Sequence, residues 1–333
     1  MFTAVQLQEA VNAGYQDAQA IQAADDLSSR QLKERLRAAF CTYYESLSRG
    51  KMNYDAISKL SNAYMAGFTS AYSHDMPAYV LLPSRNRLAV VLSAYNEHEE
   101  IGAVLAQLEK LAVDEIFVIV NGATDLTHEA IRLASADITI VHYPQRLGYD
   151  VGRALGAKLA RADATLFTDS DIAISAEQLG AFLWAIEQGV DVALNDLRPF
   201  MGKFHEQDSV SHCKTWLNTI LGREDLEINS MTAIPHALSR RAIETIGVHH
   251  LCTPPKAQAI ALMKGMEVQG VEVVDVITHN RLRSTNVGAA NPVAELILGD
   301  HMEAIRTIWE HQEVRLQEPE QIRSRIAARR NAP

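Results

Sequence analysis

Cysteine is scarce in this chain. Only Cys41, Cys213 and Cys252 occur among 333 residues, scattered and odd in number, which excludes a disulfide framework and a zinc knuckle and leaves three reduced thiols. Positive charge is also in deficit, with a formal net charge of -10. That balance argues against a nucleic-acid polyanion as the principal partner, while still allowing one phosphorylated ligand to bind locally. No apolar run reaches the roughly 18 residues of a membrane span, and Met1 to Ala20 lacks the basic and apolar regions of a secretory signal. The expected location is therefore the cytoplasm. What the chain does contain, 47% hydrophobic and 22% charged residues, is the composition of a water-soluble globular protein long enough for one large domain and an annex.

Hydrophobic periodicity divides the chain into three parts. In the first, residues 1–77, apolar side chains recur at spacings of three and four: Leu32, Leu36, Phe40, Tyr43 and Leu47, then Ile57, Leu60, Tyr64, Phe68 and Tyr72. This is the period of helices, and the aromatic stripe is expected to pack as core rather than to line an acceptor site. A breaker cluster near His74 to Pro77 ends it. Within residues 78–285 the grammar changes to short apolar runs without alternation, separated by helix-length segments: "LAVVLSAYNEHEEIGAVLAQLEKL", "EIFVIVNGATDLTHEAIRLA", "ITIVHY" and "ATLFTDSD". Such runs indicate parallel strands covered on both faces, hence an open, mostly parallel, Rossmann-like α/β sheet. Residues 286–333 return to helical spacing, through Leu296, Ile297, Met302, Ile305 and Trp309. They end in a basic tail with Arg323, Arg325, Arg329 and Arg330. The tail reads as a solvated terminal helix, the alternative being contact with anionic lipid or a lipid-phosphate acceptor.

Ligands of open α/β sheets bind beyond the carboxyl ends of the strands, and here those ends are polar. Asp169 and Asp171 flank Ser170 after the fourth run, and side chains at i and i+2 of an extended segment share a side. Like charges that close raise each other's proton affinity. A divalent cation, Mg²⁺ or Mn²⁺, would offset the repulsion, since it takes oxygen ligands and shares its shell with substrate phosphates. The alternative is that Asp169 caps a helix beginning near Ser175 and Asp171 is solvated. After the first run come Ala94, Tyr95, Asn96 and Glu97, an aromatic plane with an amide and a carboxylate suited to a nucleobase, or else a capped helix start. After the second, Asn121, Gly122 and Asp125 read as a tight turn with a cap. Between the third and fourth runs, Gly148, Gly152 and Gly156 recur every fourth residue, allowing close approach to a ligand or to the sheet. Arg146 and Arg153 in that segment could reach a phosphate. The G-K-[ST] of nucleotide hydrolases is absent.

Taken in order and spacing, these motifs resemble family 2 glycosyltransferases of the GT-A fold over about Leu88 to Arg283. The matching positions are the A-Y-N-E turn Ala94 to Glu97, the turn Asn121 to Asp125, the segment Gly148 to Gly156, and the D-x-D motif Asp169-Ser170-Asp171. The resemblance implies a GT-A domain flanked by an N-terminal helical annex and C-terminal helices, and a metal-dependent transfer of a sugar from a nucleotide-diphosphate donor to an acceptor. It places Tyr95, Glu97, Asn121 and Asp125 on the nucleoside. Asp169 and Asp171 hold Mg²⁺ or Mn²⁺ on the diphosphate, Asp171 counting also as catalytic. His279 is the third metal ligand implied by the same resemblance, and Arg281 and Arg283 beside it could bind diphosphate oxygens. A UDP sugar is favoured over a GDP sugar, and a homodimer is left open.

Two departures qualify the resemblance. Asn121 stands where the family has aspartate, which weakens any preference for uracil. No acid lies between Glu244 and Glu267, where inverting members place a carboxylate base; His249 or His250 takes that role, or the acceptor needs little help, or configuration is retained. The stretch from there to His279 is also loosely similar to retaining glucosyl- and mannosyl-3-phosphoglycerate synthases. The competing functions are a catalytically degenerate nucleotide-sugar-binding protein and a sugar-phosphate nucleotidylyltransferase. The latter needs a glycine-rich, arginine-containing loop after the first run, which "SAYNEHEE" lacks.

Overall fold

The computed structural model describes residues 2–23, 27–47, 52–74, 76–134, 137–277 and 292–311. The annex is built from α1 (Ala4–Gln22), α2 (Ser29–Ser46) and α3 (Tyr54–Ala71). Each begins at a side chain that accepts a hydrogen bond from the third helical amide, namely Thr3, Ser28 and Asn53, which satisfies one of the donors a helix start leaves open. The stripe read from the sequence faces inward: Leu36, Phe40, Leu60, Tyr64 and Phe68 are fully buried in one cluster. Tyr64 donates its hydroxyl to Asp17, so the buried ring leaves no polar atom unmatched there. The aromatic residues are thus core, as expected.

The larger part alternates strand and helix. Its elements are β1 (Leu88–Ala94), α4 (Ile101–Lys110), β2 (Glu115–Asn121), α5 (Thr127–Ala134), β3 (Thr139–Tyr143), α6 (Val151–Leu159), β4 (Ala164–Asp169), α7 (Ala176–Glu187) and β5 (Val192–Asn195). These are followed by α8 (Ser209–Ile220), β6 (His236–Ser239), α9 (Arg240–Ile246), α10 (Pro254–Met263), β7 (Val268–Glu272) and α11 (Pro292–His311). Seven strands form one sheet in the order β3-β2-β1-β4-β6-β5-β7. All neighbours are parallel except that β6 runs antiparallel to both β4 and β5.

Successive residues of β1 point to opposite faces. Val90 and Leu92 pack with Ile101, Leu105 and Phe182 from α4 and α7; Ala89 and Val91 pack with Ala157, Ile243 and Ile260 from α6, α9 and α10. Both faces are covered, which is why the strand reads as an unbroken apolar run. Arg37 of α2 ties the annex to this body through both Asp114 oxygens at 2.8 Å. Trp184 Nε1 of α7 donates to Met52 O at 3.0 Å from the other side.

The chain winds from β1 to β2 and β3 on one side, then crosses to β4 on the other. The crevice beyond the ends of β1 and β4 is therefore the topological switch point where ligands of such sheets bind. Ser93 pairs in register with Asp169, so the turn after β1 and the acid pair after β4 emerge side by side.

Candidate functional site

Three turns are locked together around this switch point. Asn96 adopts φ 52, a left-handed conformation that asparagine tolerates. Its Oδ1 accepts from Thr124 N at 2.7 Å, which joins the turn after β1 to the turn after β2. Asp125 accepts from Thr127 N at 3.0 Å and faces His98 Nδ1 at 2.9 Å. Burial raises the Asp125 pKa, but the bonds from Thr127 and His98 outweigh it and hold the carboxyl below its ordinary range. Asn121 secures the third turn: its Nδ2 donates to Gly148 O at 2.6 Å and its Oδ1 accepts from Leu147 N at 2.8 Å. The amide that stands in place of the family aspartate thus clamps the glycine-rich loop.

These locks shape a small cavity of about 110 Å³ lined by Ala94, Tyr95, Glu97, Asn121, Arg146 and Gly148 together with Asp169, Ser170 and Asp171. Nine residues expected from the sequence are brought together there. The Arg146 guanidinium sits 4.3 Å over the Tyr95 ring and 4.4 Å over the Tyr149 ring, an electrostatic attraction between cation and ring face. Asn96 and Asp125 are not in this lining; they hold the turns that carry it.

A second cavity of about 590 Å³ lies on the other side of the acid pair and shares Tyr149, Asp169 and Asp171 with the first. Its floor is Asp150 and Arg153 at the start of α6; its walls include Phe200 and Met201, Ser211 and Lys214 of α8, Val276 and Ile277, and Leu296, Ile297 and Asp300 of α11. Burial lowers the Lys214 pKa, with Asp208 opposing.

The acid pair itself is neither a helix cap nor simply solvated. Ser175 caps α7, accepting from Gln178 N, so the alternative in which Asp169 performs that task is set aside. Burial pushes Asp169 up to about 6; Arg153 pulls it down, and Asp171 and Asp150 push it up again. Arg153 is itself buried. Its Nη1 donates to Met231 O at 3.0 Å and pairs with Asp150 at 3.1 Å, and its Nη2 stands 3.7 Å from Asp169. The residue expected on a phosphate is therefore already engaged beneath the acids. His236, stacked on Phe167 at 5.2 Å, falls to about 3 through burial and the Arg153 charge and stays neutral.

Two carboxylates suit a hard divalent cation that completes its shell with water and substrate phosphate. Among the described residues no group of three or more His, Cys, Asp or Glu side chains is arranged to hold a metal. His279, Arg281 and Arg283 lie outside the described residues.

The histidine pair sits elsewhere. His249 and His250 occupy a 3-10 turn, Val248–Cys252, directly after α9, with ring centroids 3.9 Å apart. Neither lines the two cavities. Burial, then the charge of His249, lowers the His250 pKa. Gly152 and Gly156 face the sheet, a Cβ at Gly156 falling 2.2 Å from Val91 Cγ1, so of their two readings close helix packing holds. Arg240 and Arg241 are structural too: Arg240 Nε donates to Ala162 O at 3.0 Å, and Arg241 pairs with Asp191. Asp150, Lys214 and Asp300 also line the larger cavity; no sequence motif marks them, and distant segments bring them in.

An open, mostly parallel sheet whose switch point carries an acid pair between two cavities is an α/β architecture of the GT-A, Rossmann-like kind. Residues 89–247, a little under half of the chain, match glycosyl transferase family 2. Over 110 residues, 33% of this chain, the sequence is 34% identical to a dolichyl-phosphate hexose transferase of Haloferax volcanii; the match spans 47% of that protein, about half its length. The structure resembles that of Mycobacterium tuberculosis glucosyl-3-phosphoglycerate synthase in complex with Mg²⁺ and UDP, with TM-score 0.50, 16% identity, and coverage of 77% of this chain and 84% of that one. A second crystal structure of that synthase gives TM-score 0.50 and 16% identity over 77% and 86% of the two chains. At this identity the likeness concerns the fold.

Proposed function

We propose that the chain is a metal-dependent glycosyltransferase that binds a nucleotide-diphosphate sugar, a UDP sugar in preference to a GDP sugar, in the small cavity and an acceptor in the large one. The observation that carries this reading is that Asp169 and Asp171 line both cavities, so a sugar held beside them faces donor and acceptor space at once. Tyr95 supports the base by stacking, and Glu97 and Asn121 border the same cavity. Arg146 is within the lining and can turn from the tyrosine rings to an anionic oxygen. Asp169 and Asp171 would hold Mg²⁺ or Mn²⁺, which supplies compensation for the negative charge that grows on the departing diphosphate. Arg153 stands beneath Asp169 and favours its ionised form. His279, Arg281 and Arg283 remain part of the proposed donor site.

The test is a thermal-shift series with UDP and GDP sugars, each with and without Mn²⁺, because a specific ligand stabilises the folded state by mass action. The expected result is a shift with a UDP sugar that requires the metal. Equal melting temperatures in every condition would reject the reading.

A further inference from the structure

The large cavity has six carboxylates among its described lining residues: Asp150, Asp169, Asp171, Glu206, Asp208 and Asp300. Two of them, Asp169 and Asp171, form the proposed metal position. Three of the remaining four are engaged. Asp150 pairs with Arg153 at 3.1 Å, Glu206 Oε2 accepts from Lys203 N at 2.9 Å, and Asp208 Oδ1 accepts from Ser211 N at 2.7 Å as the cap of α8. Asp300, on α11, accepts no hydrogen bond and forms no ion pair among the described residues.

We propose that Asp300 is the base that takes the proton of the attacking acceptor hydroxyl, an assignment that rests on the glycosyltransferase reading above. It fills a gap visible in the sequence: no acid lies between Glu244 and Glu267, and the histidines of that stretch border neither cavity. In the step, the acceptor oxygen bonds to the anomeric carbon as the bond from that carbon to the diphosphate oxygen breaks. The electron pair leaves with the nucleoside diphosphate, and the hydroxyl proton passes to an Asp300 carboxylate oxygen. Attack from the face opposite the diphosphate inverts the anomeric centre.

The surroundings suit the task. Burial, then the charges of Asp150 and Glu303, push Asp300 up to about 6, so near neutral pH it is ionised and more basic than an exposed aspartate. Asp150 faces it from the turn before α6. Glu303 is on the same helix and is itself paired with Lys256 of α10 at 2.7 Å. From α8, Lys214 and Asp208 line the same cavity, with Arg153, Asp169 and Asp171 on its floor; His301 is the next residue on α11.

The experiment follows UDP release from UDP-glucose with Mn²⁺, water serving as acceptor, between pH 5 and 8. Wild-type rate is expected to fall as pH drops through about 6, because the base becomes protonated. Asp300→Asn is expected to lose about 100-fold or more in rate, the usual contribution of a general base. Its UDP affinity by calorimetry and its melting temperature stay at wild-type values, and Asp300→Glu or added azide restores part of the rate. The glucose released by the wild type is expected as the β anomer by NMR. A wild-type rate in Asp300→Asn, or release of the α anomer, overturns the assignment. Absence of Mn²⁺-dependent UDP binding in the wild type is a different result, and strikes the glycosyltransferase reading itself.

Discussion

The Arg153 guanidinium stands 3.7 Å behind Asp169. One buried cation thereby answers for a carboxylate that burial and two neighbouring acids push toward protonation, while the same group also holds Asp150 and the Met231 carbonyl. Removing it leaves buried acceptors without a donor. Arg153→Met is expected to cost about 3 kcal/mol in stability, the scale for breaking a buried charge pair, as read from the denaturant midpoint. Arg153→Lys recovers only part of this, because an ammonium cannot reproduce the planar fork. A midpoint in Arg153→Met equal to wild type would show that the guanidinium is dispensable.

Asp171 borders both cavities, and its removal leaves one carboxylate where the proposed cation needs two. Asp171→Ala is expected to weaken Mn²⁺-dependent UDP binding at least tenfold, about 1.4 kcal/mol, with little change in whatever binding remains when metal is withheld. Calorimetry in the two conditions separates these terms. Equal affinity with metal present would detach Asp171 from the cation.

The Tyr95 ring lies under Arg146 at the end of β1 and lines the small cavity. If the donor base stacks there, Tyr95→Ala lowers UDP affinity by about 1–3 kcal/mol, the range for base stacking on an aromatic side chain, and Tyr95→Phe keeps it. Loss of affinity in both variants alike would assign the effect to the hydroxyl instead.

Two helix glycines are expected to respond in opposite directions. A Cβ at Gly156 would lie 2.2 Å from Val91 Cγ1 and 2.6 Å from its Cγ2, so Gly156→Ala forces α6 off the sheet at about 1–3 kcal/mol. A Cβ at Gly102 of α4 would meet nothing within 4 Å. Gly102→Ala should therefore stabilise by about 0.5–1 kcal/mol through a better helix residue and a less flexible unfolded chain. Thermal denaturation of the two variants checks both signs, and a stabilised Gly156→Ala would contradict the packing described for α6.

Several parts of the candidate site are legible in the sequence because they sit at strand ends, where an apolar run stops and polar residues begin. Tyr95, Glu97, Asn121, Asp169 and Asp171 stand out in this way, and the structure gathers them around one cavity. The work each side chain does was less accessible. Asn121 spends both ends of its amide on the loop at Leu147 and Gly148, and Arg153 points beneath the acids to Met231, 78 residues away in sequence. His249 and His250, drawn in because an acid was missing nearby, fold into a turn that borders neither cavity.

By itself, the sequence determined the first four strands and the helices between them, the inward stripe of the annex, and the polar strand ends that face a common edge. Each follows from a local period or a local break in it, set by 3.6 residues per helical turn and two per strand repeat. Only the tertiary structure decided that α8 and α11 border a second cavity beside the acid pair, that β6 inserts antiparallel between β4 and β5, and that Lys214 and Asp300 line that cavity together with Asp171. Those contacts join segments far apart along the chain, and packing of apolar faces such as Leu217 against Ile305 and Ile308 selects them without any short pattern to announce it.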